Sequence, residues 1–92
     1  MPQTFTKDPD AILDYTVDWT DWLNDGTPDT IIASTWTAEA GITIDSDSNT
    51  LTTATVILSG GTLGEVYTVT NRIVTDQGLQ DERSIFIRMR NK

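Results

Sequence analysis

The stretch GEVYTVTNRIVT, residues 64–75, decides the fold. A glycine opens it, a tyrosine follows at Tyr67, and from there small apolar side chains alternate with threonines. An alternation of period two places one set of side chains on a buried face and the other on an exposed face, which is the pattern of a half-buried strand. Threonine suits this role because its branched side chain fits a pleated sheet better than a helix. Seventeen of the 92 residues are threonine, so strands are expected along most of the chain.

Toward the carboxyl end, DQGLQ reads as a loop leading into a last strand at about residues 82–90. In that strand Ile85, Ile87 and Met89 face one way, and Ser84, Phe86, Arg88 and Arg90 the other. Toward the amino end, Gly60 and Gly61 make a turn, and LTTATVILSG before them carries a further strand pair or one long bent strand. Earlier still, Gly41 turns the chain into the short strand ITI at 42–44, and the polar run DSDSN at 45–49 reads as a loop. In TIIASTWT, residues 30–37, the alternation sets Ile32, Ser34 and Trp36 on one face and Ile31, Ala33 and Thr35 on the other. The first alternation comes at Leu13, Tyr15, Val17 and Trp19, set against Asp14, Thr16, Asp18 and Thr20. DPDA before it fits a short helical turn with Asp8 as cap and Pro9 at its first position. After it, Trp22 and Leu23 fold back onto the strand ahead of the breaker NDGTPD.

Six or seven short strands separated by turn signals, with no amphipathic helix, give an all-β fold: an immunoglobulin-like antiparallel β-sandwich of about seven strands. The opening stretch then has a role. In such sandwiches a tyrosine near the start of the penultimate strand bends back to bond the backbone of the preceding crossover, and an inward side chain two residues on fills the core. Tyr67 and Val69 fit those positions, and Trp36 fits the tryptophan packed between the sheets. One domain spanning residues 1–92 is expected, with an extended segment at 1–10, because a chain of this length buries only about 60 to 65% of its unfolded surface.

Composition removes several functions. With no cysteine and no histidine, disulfides, thiolate metal sites, the commonest general base and the commonest transition-metal ligand are all missing. No apolar run approaches a membrane span, and MPQTFTKDPD lacks the layout of a secretory signal. The net charge of −8 opposes nucleic-acid binding, which depends on lysine and arginine displacing counterions. The charge is also unevenly placed: residues 1–50 hold ten acids and one base, Lys7, for −9, whereas residues 51–92 hold four acids and five bases, for +1. Such a layout suits a solvated acidic surface, or copies packed acidic flank against basic flank.

The remaining constellations are weak as chemistry. Asp45, Asp47 and Asn49 resemble the first ligands of a calcium loop, but Thr50 stands where the turn glycine belongs and Val56 where the bidentate glutamate belongs. Trp19, Trp22 and Trp36 raise the alternative of a carbohydrate-binding module that stacks exposed rings on sugars, against the plainer reading of core burial. Asp14, Asp18 and Asp21 offer carboxylates, yet so small a sandwich has little room for a glycosidase cleft. Gly60, Gly61 and Gly64 are followed by neither the lysine nor the helix of a phosphate loop. The reading is therefore a protein that is not an enzyme, needs no cofactor or metal, and takes no small-molecule substrate.

KDPDAILDYTVDWTDWL, the central STWT with TTATVILSGG, and GEVYTVTNRIVTDQG with the closing DERSIFIRMR resemble small virion proteins of tailed bacteriophages, of the fiber-tail adaptor type. The likeness covers nearly the whole chain. It implies an immunoglobulin-like sandwich located in the tail or neck of the virion, present in several copies and bridging other virion structural proteins. Capsid decoration and head-to-tail closure use the same kind of domain and are the neighbouring alternatives. On that reading the acidic opening strand, through Asp14, Asp18 and Asp21 with Trp22, faces partners or neighbouring copies. Arg83, Arg88 and Arg90 on the last strand supply the complementary charge.

Overall fold

The structure is a computed structural model that describes residues 3–23 and 29–90. Its elements run in chain order as β1 (Gln3–Lys7), β2 (Leu13–Asp18), α1 (Thr20–Leu23), β3 (Ile31–Ala38), β4 (Ile42–Asn49), β5 (Thr53–Gly60), β6 (Val66–Thr75) and β7 (Gln80–Met89). They form two sheets, one of four strands in the order β1-β7-β6-β3 and one of three in the order β2-β5-β4. Every pairing is antiparallel except β1 with β7, which is parallel. The all-β sandwich expected from the alternation is the fold observed.

The core lies between the sheets and is built from the inward set of each strand. Val69, Ile73, Ile85 and Ile87 come from the four-stranded sheet, and Tyr15, Val17, Ala54, Val56 and Leu58 from the three-stranded one. Trp19, just past β2, is wholly buried, and the single turn of α1 folds Leu23 back beside it. Fully burying a side chain of the Val, Leu or Ile kind contributes about 1.5–3 kcal/mol, so this double row is the main stabilising term.

Three expectations change in detail, and one open alternative is settled. Residues 45–49 are not a loop: β4 continues through Asp45 to Asn49, and the turn falls at residues 50–52. The polar run reads as a loop because β4 is an edge strand whose second half is exposed. LTTATVILSG resolves into a single strand, β5. In β3 the alternation breaks at a register shift between Ile31 and Ala33, so Ile31 is buried and Ile32 exposed, the reverse of a strict period of two. A bulge adds one residue to one strand and moves everything beyond it to the other face. Around DPDA the chain makes a turn rather than a helix: the Asp10 N–H donates to Asp8 Oδ1 at 2.9 Å, and the Ala11 N–H to the Asp8 carbonyl at 3.0 Å. Of the breaker at 24–29, residues 24–28 lie outside the described residues.

Candidate docking surfaces

The charge asymmetry of the sequence becomes an asymmetry between layers. Strands of the four-stranded sheet carry Lys7, Arg72, Arg83 and Arg88 against Asp81 and Glu82, a net of +2. Strands of the three-stranded sheet carry Asp14, Asp18, Asp45 and Asp47 with no base, a net of −4. Among the described residues one ion pair forms, Arg72 Nη1 with Glu82 Oε1 at 3.7 Å, and both of its side chains are more than half exposed. Exposed pairs of this kind contribute little to stability.

The three arginines of the last strand do not form one patch. Arg83 shares its parity with Ile85, Ile87 and Met89, so it lies on the core side of β7, but at the open end of the sandwich it stays exposed. There its guanidinium lies 4.3 Å from the centroid of the Trp19 ring, and Nη1 donates to the Asp18 carbonyl at 3.0 Å. This cation–π contact and hydrogen bond tie β7 to the end of β2 within one chain. Arg88 is outward, and Arg90 follows the strand's end; both are exposed. Five strand residues at about 3.3 Å each put Arg88 roughly 16 Å from Arg83.

The acids divide in the same way. Asp18 caps α1: its Oδ1 accepts from the Thr20 N–H at 2.9 Å and from Thr20 Oγ1 at 2.5 Å. Those two bonds, with help from Arg83, hold its carboxyl below the ordinary aspartate range. Asp21 is exposed in the same turn, and Trp22 packs edge-on against Trp19 with ring centroids 5.5 Å apart. Asp14 sits nearer the other end of β2, outward and opposite Ile57. The structure therefore gathers Asp18, Asp21, Trp22 and Arg83 at one end, and leaves Arg88 and Arg90 at the other.

Each end also carries exposed apolar groups. At the Arg88 end, bonds from the Arg90 N–H to the Lys7 carbonyl and from the Gly64 N–H to the Met89 carbonyl bring three segments together. Ile12, Leu63 and Val66 stand exposed on those segments, beside Asp10 and Glu65. At the far end, the Ile31 N–H bonds the Leu51 carbonyl and the Asp76 N–H bonds the Thr30 carbonyl, each at 2.9 Å. Ile32, Leu51 and Leu79 are exposed there, with Asp21, Asp76 and Asp81 around them. The molecule measures 43 Å along its longest axis and 23 by 18 Å across.

The framework holding these ends is polar where it has to be. Trp19 Nε1 donates to Asn71 Oδ1 at 2.9 Å inside the sandwich, and Asn71 Nδ2 donates in turn to Ser34 Oγ and the Thr35 carbonyl. Lys7, a base the sequence reading left unassigned, is fully buried and donates Nζ to the carbonyls of Gly60 and Asp8 at 2.8 and 3.0 Å. Burial pushes its ammonium below the usual lysine range, partly offset by Asp8, Asp10 and Asp45. Tyr67 is buried, and its hydroxyl accepts from the Thr62 N–H at 2.9 Å; Val69 is wholly buried two residues on. Trp36 lies in the same core cluster.

No tryptophan is left as an open platform. Trp19 and Trp36 are buried and Trp22 is partly buried against the core, so none stands fully exposed as a sugar-stacking platform would. Asp45, Asp47 and Asn49 lie along β4, where alternate residues stand roughly 6.5–7 Å apart, so they do not close into a calcium loop.

Comparison with known proteins agrees with a contact role. Residues 7–88 match the family described as Podophage GP4 fiber-tail adaptor protein gp77. No curated protein matches the chain. The match takes in every described strand but most of β1, and with it both ends of the sandwich. The chain belongs to the podophage GP4 fiber-tail adaptor family, and is a structural protein of the virion tail region.

Proposed function

We propose that this sandwich links neighbouring proteins of the phage tail by gripping one at each end of its long axis. The observation that carries the reading is a pair of exposed apolar clusters at the two ends of a two-layered body, one rimmed by both signs of charge and one mainly by acids, within a fiber-tail adaptor family. One end offers Ile12, Leu63 and Val66 among charges of both signs, Arg88 and Arg90 with Asp10 and Glu65. The other offers Ile32, Leu51 and Leu79 beside Asp21 and Asp76, with Asp18 and Trp22 close by. Apolar groups rimmed by charge are what a stable contact uses: the apolar centre supplies affinity and the charged rim orients the partner. Asp14, on the outer face of the three-stranded sheet, extends the acidic surface toward neighbours. Arg83 acts differently from Arg88 and Arg90: it braces the acidic end through its contacts with the Asp18 carbonyl and the Trp19 ring.

The test is reconstitution. Tails lacking this protein are mixed with purified fibers, with and without the recombinant chain, and the fibers that sediment with the tails are measured. Fibers sediment with tails only when the chain is present if it is the link. Equal fiber binding without it contradicts the proposal.

A further inference from the structure

Among the described residues, four strands of this sandwich have a free edge: β1 and β3 in one sheet, β2 and β4 in the other. Free edges invite strand addition unless blunted by charge, proline or a bulge. β2 holds Asp14 and Asp18, β4 holds Asp45 and Asp47 and a register shift, and β1 ends at Lys7 with Pro9 soon after. β3, IIASTWTA, has no charged residue and no proline, and its one register shift lies at its start, leaving residues 33–38 regular.

The phase of the β3–β6 ladder shows which groups are free. The Glu39 N–H donates to the Thr68 carbonyl at 3.2 Å. In an antiparallel ladder the bonded positions alternate. Ala33, Thr35 and Thr37 therefore direct their main chain to β6, whereas Ser34, Trp36 and Ala38 direct theirs to the open edge.

We infer that β3 pairs antiparallel with β3 of a second copy of this chain, joining two four-stranded sheets into one across a two-fold axis near Trp36. Charge selects this occupant. Two chains of net charge −8 repel wherever acids meet, and β2 against β2 or β4 against β4 would set aspartates against aspartates. The β3 edge lets two copies meet without placing like charges opposite one another. Centred on Trp36, the pairing makes about six main-chain hydrogen bonds, from Ser34, Trp36 and Ala38 of each copy. Thr35 then stands across from Thr37 of the second copy at a narrow, non-bonded position, with Cα atoms about 4.5 Å apart. The inference adds self-pairing to the adaptor reading above and rests on it only for a biological purpose.

Sedimentation equilibrium of the purified chain tests it. The expected mass is twice 10.2 kDa at high concentration, and added salt strengthens the association, because the acids left on β2 and β4 still repel. Thr35 and Thr37 are exposed, so a T35E/T37E variant and a T35K/T37K variant keep the fold, checked by circular dichroism. Each alone should sediment as a monomer, and an equimolar mixture should recover the doubled mass. A wild-type chain that stays at 10.2 kDa at millimolar concentration and high salt overturns the inference, as does a T35E/T37E variant that still doubles. The adaptor reading is tested apart from this, because the monomeric variants can be assayed for linking fibers to tails.

Discussion

The indole N–H of Trp19 donates to the side-chain oxygen of Asn71 across the interior, at 2.9 Å, joining the end of β2 in one sheet to β6 in the other. Both side chains are wholly shielded from solvent. Replacing Asn71 with alanine leaves the indole without an acceptor and removes the amide's bond to the Ser34 hydroxyl, while the Thr35 carbonyl keeps its ladder bond to β6. A buried donor left unpaired costs about 1–3 kcal/mol. Urea denaturation of Asn71→Ala should therefore show a loss of at least about 1 kcal/mol; a loss below about 0.5 kcal/mol would mean that water replaces the amide.

Tyr67 anchors the crossover that leads into β6. Tyr67→Phe removes the acceptor for the Thr62 N–H and little else. The expected loss is about 1 kcal/mol, which for a domain of this size lowers the midpoint of thermal unfolding by about 4–8 °C. An unchanged melting temperature would mean that solvent takes over the Thr62 bond.

Gly61 and Gly64 separate backbone strain from crowding. Both have positive φ, +100° and +89°. A Cβ on Gly61 would meet the Met89 side chain at 2.5 Å, whereas one on Gly64 meets nothing within 4 Å. Both alanine variants should destabilise, since alanine disfavours that backbone region. Gly61→Ala should be the more damaging by roughly 1 kcal/mol or more, because it also forces Met89 out of a packed core. Equal losses would show that Met89 moves aside freely.

Stability should fall in acid. The Asp18 carboxyl is lowered chiefly by the Thr20 hydroxyl, and the Glu39 carboxyl chiefly by Thr68. Burial pushes Asp29 up, but bonds from Thr75, Thr30 and Gln77 together pull it down. A carboxyl held lower in the folded than in the unfolded chain adds stability above its unfolded pKa, near 4, and that stability is lost as pH falls through the folded value. Urea midpoints should drop between pH 6 and pH 3, and Asp29→Asn should make the drop smaller. Lys7 works in the alkaline range with the opposite proton balance: its lowered pKa makes stability rise as pH climbs from the folded value toward the unfolded one near 10.4.

The sequence was legible where alternation runs long. β6 and β7, with ten residues each, matched the expected stretches closely, because a buried face repeated over several turns of the pleat leaves one register open. β4 was missed in its second half because an exposed edge strand needs no apolar residues, and DSDSN then looks like a loop. β1 was expected only as an extended segment: its parallel seat beside β7 is set by a contact more than eighty residues distant, which local pattern does not encode. The bulge in β3 moved Ile32 to the surface without a glycine to announce it. Among candidate site residues, the contact of Arg83 with the Trp19 end of the sandwich was readable from its shared parity with Ile85 and Ile87. Grouping it with Arg88 and Arg90 by charge alone obscured that signal. Lys7 gave none, since a lone lysine in a threonine-rich run is ordinarily exposed.

The most direct measurement of the central claim is a cryo-electron-microscopy reconstruction of the intact phage tail in which this chain is traced. The account predicts the sandwich lying between two different tail proteins, one against Ile12, Leu63 and Arg88 and the other against Ile32, Leu51 and Asp21. A sandwich attached to the particle through one end, with the other end in solvent, would contradict it.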